Sequence, residues 1–212
     1  MYYERPKNKE ELQRREAIGT IHASRLVRKL AKSNQPIDVG SIYDIHKTIF
    51  KVAWPEIAGV LRTENTKITG SPHLPPHYSQ VPGLMLELDK ELKKRVASLT
   101  VLPMMNRLGP AWTKKERKMV MDIVGVAAWI HHKIVYIHPF VDGNGRTARL
   151  MTNLILERYR LIGISIKMER ENKNEYRTAL QQIDKEGDYK PLEDIIVAGL
   201  IDRYTGVKDS IV

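Results

Sequence analysis

The sequence predicts an all-α, single-domain helical bundle, and three observations point to it. Apolar residues recur at spacings of three and four along most of the chain. The one long stretch without that period, residues 54–82, carries Pro55, Pro72, Pro75, Pro76 and Pro82 and a single short alternating run, Thr66-Lys67-Ile68-Thr69. The chain has 212 residues, 42% hydrophobic and 28% charged. At that length a soluble domain buries roughly 70% of its unfolded surface without disulfides or a structural metal.

The elements follow in order. Residues 9–30 place Leu12, Ile18, Ile21, Leu26, Val27 and Leu30 at helical spacing among many charges, and Ser33-Asn34-Gln35-Pro36 ends that helix. A second helix over 38–52 puts Ile42, Ile45, Ile49 and Phe50 on one face, with Asp38 as N-cap. The proline-rich stretch with Gly59 and Gly70 predicts a long loop containing a small hairpin or flap. Helical spacing resumes at Leu84, Leu88 and Leu92 and is interrupted around Pro103 and Pro110. Residues 113–136 form the most apolar segment, from Val120 through Ile130, and predict the central helix. A non-helical stretch, 137–145, precedes a helix starting near Arg146 that carries Leu150, Leu154, Ile155 and Tyr159. Two further helices are expected over 173–185 and 191–204, separated by Glu186-Gly187-Asp188. The organisation is a basic helical extension (1–36), a main domain (37–205) and a short tail (206–212).

The absence of cysteine excludes Cys-based zinc sites and thiol nucleophiles. No apolar run approaches the roughly 18 residues of a membrane span, so no membrane association and a cytoplasmic location are expected. Thirty-five Lys and Arg against 25 Asp and Glu give a net charge of +10, which predicts an anionic partner: nucleic acid, an acidic protein surface or nucleotide phosphates. No basic stripe is interleaved with aromatics, and the chain has only two Phe, which argues against nucleic acid.

The segment that carries chemistry is 138–149, HPFVDGNGRTAR, between the most apolar helix and the next. Gly143 and Gly145 flank Asn144 where a helix begins, so unobstructed backbone N–H groups at the positive helix end can cradle an anion. Arg146 and Arg149, three apart, share one face on which their guanidinium forks can hold further phosphate oxygens. Asp142 offers a hard oxygen for Mg²⁺ beside such phosphates, and His138 titrates near neutrality, as a general base for a hydroxyl must. Taken singly, each has a duller reading: a turn, a helix cap, a solvated face, a structural histidine. Six such features within twelve residues describe transfer of a group from a Mg²⁺-bound nucleotide to an alcohol.

The same twelve residues, His138-Pro139-Phe140-Val141-Asp142-Gly143-Asn144-Gly145-Arg146-Thr147-Ala148-Arg149, resemble the full signature HPFx(D/E)GNGRxxR of the Fic (filamentation induced by cAMP) family. Ile45-His46 to Phe50, the stretch 54–62, Pro75-Pro76, and Tyr176 to Leu180 with Gly187-Asp188 and Pro191-Leu192 extend the likeness. The resemblance implies a helical bundle with a β-hairpin flap over the active site, and adenylylation: transfer of AMP from ATP to a Ser, Thr or Tyr hydroxyl of a target protein, releasing pyrophosphate. It implies His138 as the base, Phe140 as the anchor of the loop in the core, and Asp142 on Mg²⁺. Gly143, Asn144 and Gly145 would form the anion hole, with Arg146 on the β-phosphate side and Arg149 on the γ-phosphate. The flap, bounded by Leu61 and Pro72, would pair as a strand with the target. Tyr176 falls where related proteins place an aromatic near the base, whereas Arg177 replaces a second Tyr, and a half-buried helical Tyr is the equal alternative. Other nucleotide donors, the reverse deAMPylation and a non-catalytic binding role are the alternatives.

One departure stands out. Many Fic proteins carry an inhibitory glutamate in an (S/T)xxxE(G/N) helix that pairs with the second motif arginine. Here 19–25 and 202–212 hold no such glutamate, and Ser165 to Glu169 is followed by Arg170. Arg149 is therefore expected to be unrestrained within the chain, with a separate antitoxin and self-association as candidate partnerships. His131 and His132 point to different helix faces and argue against zinc; His73 and His77 read as loop residues, and His46 as structural.

Overall fold

The computed structural model describes residues 6–103, 112–165 and 172–209, so the expected break at Pro110 lies outside the described residues. Seven α-helices make up the described part, with no strand among the described residues.

Helix α1 (Lys9–Lys32) begins where the Asn8 side chain accepts the Glu11 N–H at 2.8 Å, and it carries Glu10 and Glu11 in its first turn and Lys29 and Lys32 in its last, charges matched to the helix dipole. Its packed stripe is Gly19, Ala23, Val27 and Ala31, whereas Ile18 and Ile21, expected on the inner face, are exposed. Close approach decides this: a Cβ on Gly19 would lie 1.9 Å from the Ile49 carbonyl oxygen, so small residues let α1 lie on α2 (Val39–Phe50). Asp38 caps α2 as expected, accepting from Ser41 N–H at 3.3 Å.

A 3-10 turn, Tyr78–Gln80, leads into α3 (Val81–Ala97). The central helix α4 (Lys114–Ile137) starts at a reciprocal Thr113–Glu116 capping box and is buried on most sides. Contrary to the expectation from sequence, α4 is by length and composition apolar enough to cross a membrane. Its apolar window is 67% buried within the protein, because it lies against α3, α5 and α7. Helix α5 (Asn144–Arg158) starts two residues ahead of the predicted Arg146 and packs on α4, α1 and α2. Helices α6 (Asn172–Glu186) and α7 (Lys190–Asp209) pack on each other, and α7 also on α4.

The segment expected to form a hairpin contains no strand among its residues. A single turn closes it, with Ser71 N–H on the Ile68 carbonyl at 3.1 Å and Gly70 at φ +71°. Its arms are held to the body by side chains instead of by each other: Arg177 of α6 donates to the Thr69 carbonyl at 3.1 Å, and one ring nitrogen of His73 lies 2.9 Å from the Tyr136 carbonyl of α4.

Candidate active site

The C-terminus of α4 and the N-terminus of α5 face one another across residues 138–143. His138 closes α4 in the left-handed region (φ 50°, ψ 58°), its N–H on the Ile134 carbonyl at 3.0 Å. That conformation costs a non-glycine residue about 1 kcal/mol and needs support from its surroundings. Arg62, buried at 3% exposure, supplies it. Its Nε donates to the His138 carbonyl (2.8 Å), Nη1 to that of Glu64 (2.9 Å), and Nη2 to those of Pro76 (2.5 Å) and Ile137 (3.4 Å), while its backbone N–H reaches the Pro139 carbonyl at 2.9 Å.

Past the corner, Phe140 is fully buried, stacked on the His46 ring at 3.7 Å and 12° and met edge-on by Tyr43. His46 does more than fill the core. Its Nδ1 accepts the Gly59 N–H at 2.9 Å, which leaves the proton on Nε2 to donate to the Asp142 carbonyl, also at 2.9 Å. Burial holds the imidazole neutral, its pKa lowered to about 4. The Asn144 side chain is spent inside the loop, accepting the Phe140 N–H (2.9 Å) and donating to the Phe140 carbonyl (2.8 Å), so only its backbone faces outward. Gly143 has φ +77°, and a Cβ there would lie 2.3 Å from Phe50 Cε2.

No side chain caps α5, and its first internal bond runs from Thr147 N–H to the Gly143 carbonyl at 2.9 Å. The N–H groups of Asn144, Gly145 and Arg146 precede that bond and have no acceptor within the helix. His138 Nδ1 lies 3.3 Å from the Val135 carbonyl, which places the ring proton on Nδ1 and leaves the Nε2 lone pair free. Burial above all, with Arg62 and His73 nearby, lowers its pKa. Arg149 is lowered too, by burial and then by Arg146, and among the described residues no carboxylate is ion-paired with it. Arg146 differs: Nη1 contacts Glu16 Oε2 of α1 at 2.8 Å, and Nη2 contacts Asp142 Oδ2 at 3.3 Å. Glu169, the alternative glutamate of the sequence, lies outside the described residues.

A cleft of about 280 Å³ brings together His138, Gly145, Arg149 and Tyr176, roofed by Ile68, Thr69, Ser71 and His73. Asp142 and Arg146 stand outside its lining, at the same helix end on the side toward α1. Tyr176 is buried: its O–H donates to His131 Nε2 at 2.8 Å, while His131 Nδ1 bonds Thr152 Oγ1 at 3.0 Å. Burial pushes the phenol to about 12 and the His131 imidazole down to about 3. His132 turns the other way, to Asp184 at 2.8 Å, so the adjacent histidines share no ligand. Among the described residues no group of three or more His, Asp or Glu is placed to hold a metal.

The Fic/DOC family model matches residues 36–156, more than half of the chain and all of the loop just described. The chain belongs to the Fic/DOC family. A protein adenylyltransferase Fic of Nematostella vectensis is 30% identical over 181 residues, 85% of this chain and 36% of that protein. The chain thus spans about a third of the length of the curated relatives it matches. Among solved Fic structures, residues 134–508 of Caenorhabditis elegans Fic-1 superpose with a TM-score of 0.68 at 27% identity, covering 97% of this chain and 54% of that one. Bartonella tribocorum BepC with bound AMPPNP shares the fold, at a TM-score of 0.57 and 17% identity over 89% of this chain and 86% of that one. Helix α1 lies ahead of the family match and still packs on α2 and α5, bringing Glu16 to a motif arginine.

The segment 138–149 was found in the sequence by its own chemistry. His46, Arg62 and Glu16 were not, because their partners lie 96, 76 and 130 positions away. A glycine inside the helical pattern at Gly19 was the one local sign that α1 approaches another backbone closely.

Proposed function

We propose that this Fic protein is a protein adenylyltransferase: a target hydroxyl attacks the α-phosphorus of ATP, the bond to the bridging oxygen of the β-phosphate breaks, and pyrophosphate leaves. The observation that carries this reading is the pairing of a free His138 Nε2 with an uncapped, arginine-flanked helix end in one cleft. The names of its relatives, and the AMPPNP held by BepC, support the same donor class.

His138 takes the hydroxyl proton on Nε2 as the new O–P bond forms. Its lowered pKa keeps it neutral, hence able to accept, at pH 7. The Asn144, Gly145 and Arg146 N–H groups receive α- and β-phosphate oxygens, with Gly143 shaping the turn. Arg149 meets the terminal phosphate: a half-buried cation beside another cation is stabilised by an incoming anion. Asp142, exposed and singly placed, suits an ion that keeps its waters and borrows phosphate ligands, as Mg²⁺ does; bound there, Mg²⁺ would neutralise phosphate charge. The residues 61–72 form the docking edge along which an extended target segment lies. Tyr176 contributes a ring wall to the cleft, its hydroxyl being turned inward to His131.

The test is incubation with Mg²⁺, ATP labelled at the α-phosphate and a cell lysate, beside His138→Ala and Arg149→Ala. Covalent label on the chain or a lysate protein, lost in the His138 variant, is expected. Equal labelling by wild type and His138→Ala would reject the assignment.

A further inference from the structure

Helix α1 reaches the anion cradle through one side chain. Glu16 Oε2 lies 2.8 Å from Arg146 Nη1, across 130 positions of sequence, and both side chains are shielded, at 15% and 23% exposure. A shielded, short pair of this kind is geometrically defined in a way that exposed surface pairs are not. The carboxylate is itself anchored. Gly19, three residues on and so on the same side of α1, sits against the backbone of Ile49. The guanidinium is bounded on two further sides, by the Phe50 ring beneath it at 4.8 Å and by Asp142 Oδ2 at 3.3 Å.

Asp142 and Arg146 are four apart on a helix start, the spacing at which a carboxylate and an arginine readily close into a pair. That pair is formed here through Nη2, so Arg146 bridges Asp142 on one side and Glu16 on the other. Glu16 makes the shorter of the two contacts, 2.8 against 3.3 Å, and the N–H donors of the planar fork that neither contact uses stay available.

We propose that Glu16 is a positioning residue for the transfer: by holding Arg146 through Nη1 opposite Asp142, it fixes the guanidinium between the two carboxylates and aims its remaining donors at the nucleotide phosphates. The inference rests on the nucleotidyl-transfer reading above, and it makes α1 part of the working site.

The experiment is a double-mutant cycle on the full chain: wild type, Glu16→Ala, Arg146→Ala, the double variant, and Glu16→Gln. Mg-ATP affinity is measured by isothermal titration, transfer rate with α-labelled ATP, and melting temperature in parallel. Loss of a partner that orients a ligand-binding group predicts that Glu16→Ala weakens Mg-ATP binding roughly tenfold. Glu16→Gln keeps an acceptor oxygen and is expected to lose only about threefold. The double variant is expected to bind no worse than Arg146→Ala alone. Additive losses would show that Glu16 does not act through Arg146 and would overturn the proposal. So would Mg-ATP binding by Glu16→Ala as tight as wild type, or tighter, since the carboxylate would then be competing with phosphate. Should Glu16→Ala fail to fold, the Glu16→Gln loss and its disappearance in the Arg146→Ala background decide the matter. Failure of the underlying reading looks different: wild type would neither bind Mg-ATP nor take up label.

Discussion

Gly143→Ala isolates what the loop demands of its backbone. The residue has φ +77°, and an added Cβ would lie 2.3 Å from Cε2 and 2.8 Å from Cζ of Phe50, a fully buried ring that is not the far end of a flexible chain. The left-handed conformation costs an alanine about 1–2 kcal/mol, and overpacking against a buried ring adds roughly 1–3 kcal/mol. The sum is about 2–5 kcal/mol, or, at about 2–4 °C per kcal/mol for a chain of this size, a fall in melting temperature of roughly 4–20 °C. Gly187→Ala is the control, because φ is +70° there but nothing lies within 4 Å of the added Cβ, so only the conformational cost applies. Displacing the N-terminus of α5 by about 1 Å predicts a loss of transfer rate on the order of 100-fold. Calorimetry of both variants, with Phe50→Leu added to Gly143→Ala to relieve the clash, and the labelled-ATP assay measure these effects. Equal melting temperatures for Gly143→Ala and Gly187→Ala, or no recovery from Phe50→Leu, would refute the packing account.

Other expectations are as follows. Tyr176→Phe removes the hydroxyl that donates to buried His131 and leaves that nitrogen unpaired, a loss of about 1–3 kcal/mol read by urea unfolding; an unchanged midpoint would contradict the assigned bond. Arg62→Met strips hydrogen bonds from the carbonyls of His138, Glu64 and Pro76 and is expected to cost on the order of 3 kcal/mol, with slowed label transfer even in the surviving folded fraction. His46 and His131 titrate near 6.5 when unfolded but near 4 and 3 when folded, so the unfolded chain takes up protons that the native one refuses. Their contribution to stability is full above pH 6.5 and is lost as pH falls toward 4 and 3; urea midpoints that stay level from pH 7 to 4.5 would exclude it. Because burial lowers the His138 pKa, the transfer rate should be level through neutral pH and decline only below the ordinary histidine range, and an inflection above pH 7 would argue against His138 as the base.

The central helix and the loop motif at the start of α5 were legible because both are written locally. Apolar residues from Val120 to Ile130 leave little polar surface, and the spacing of Gly143, Gly145, Arg146 and Arg149 is the pattern expected of a helix-terminus anion site. What was illegible depends on tertiary choice. Helix α1 offers two stripes at helical spacing, and the small one won because it permits close approach to α2, leaving Ile18 and Ile21 outside. Alternation through Thr66 and Thr69 reads as strand, yet pairing needs a second strand, and here Arg177 and His73 tie the segment down instead. His46 and Arg62 are single polar residues in apolar or loop surroundings, where one sequence offers no sign of the carbonyls they serve.

Arg62 has one consequence for how such a protein can diversify. Its guanidinium grips the carbonyl of Pro76 together with that of His138, so both ends of residues 63–75 are fastened at one point next to His138. A loop whose ends are already fixed tolerates changes of length cheaply, about 0.6 kcal/mol for each doubling. On the adenylyltransferase reading proposed above, the segment that would face a target could change in size while the corner carrying His138 keeps its shape.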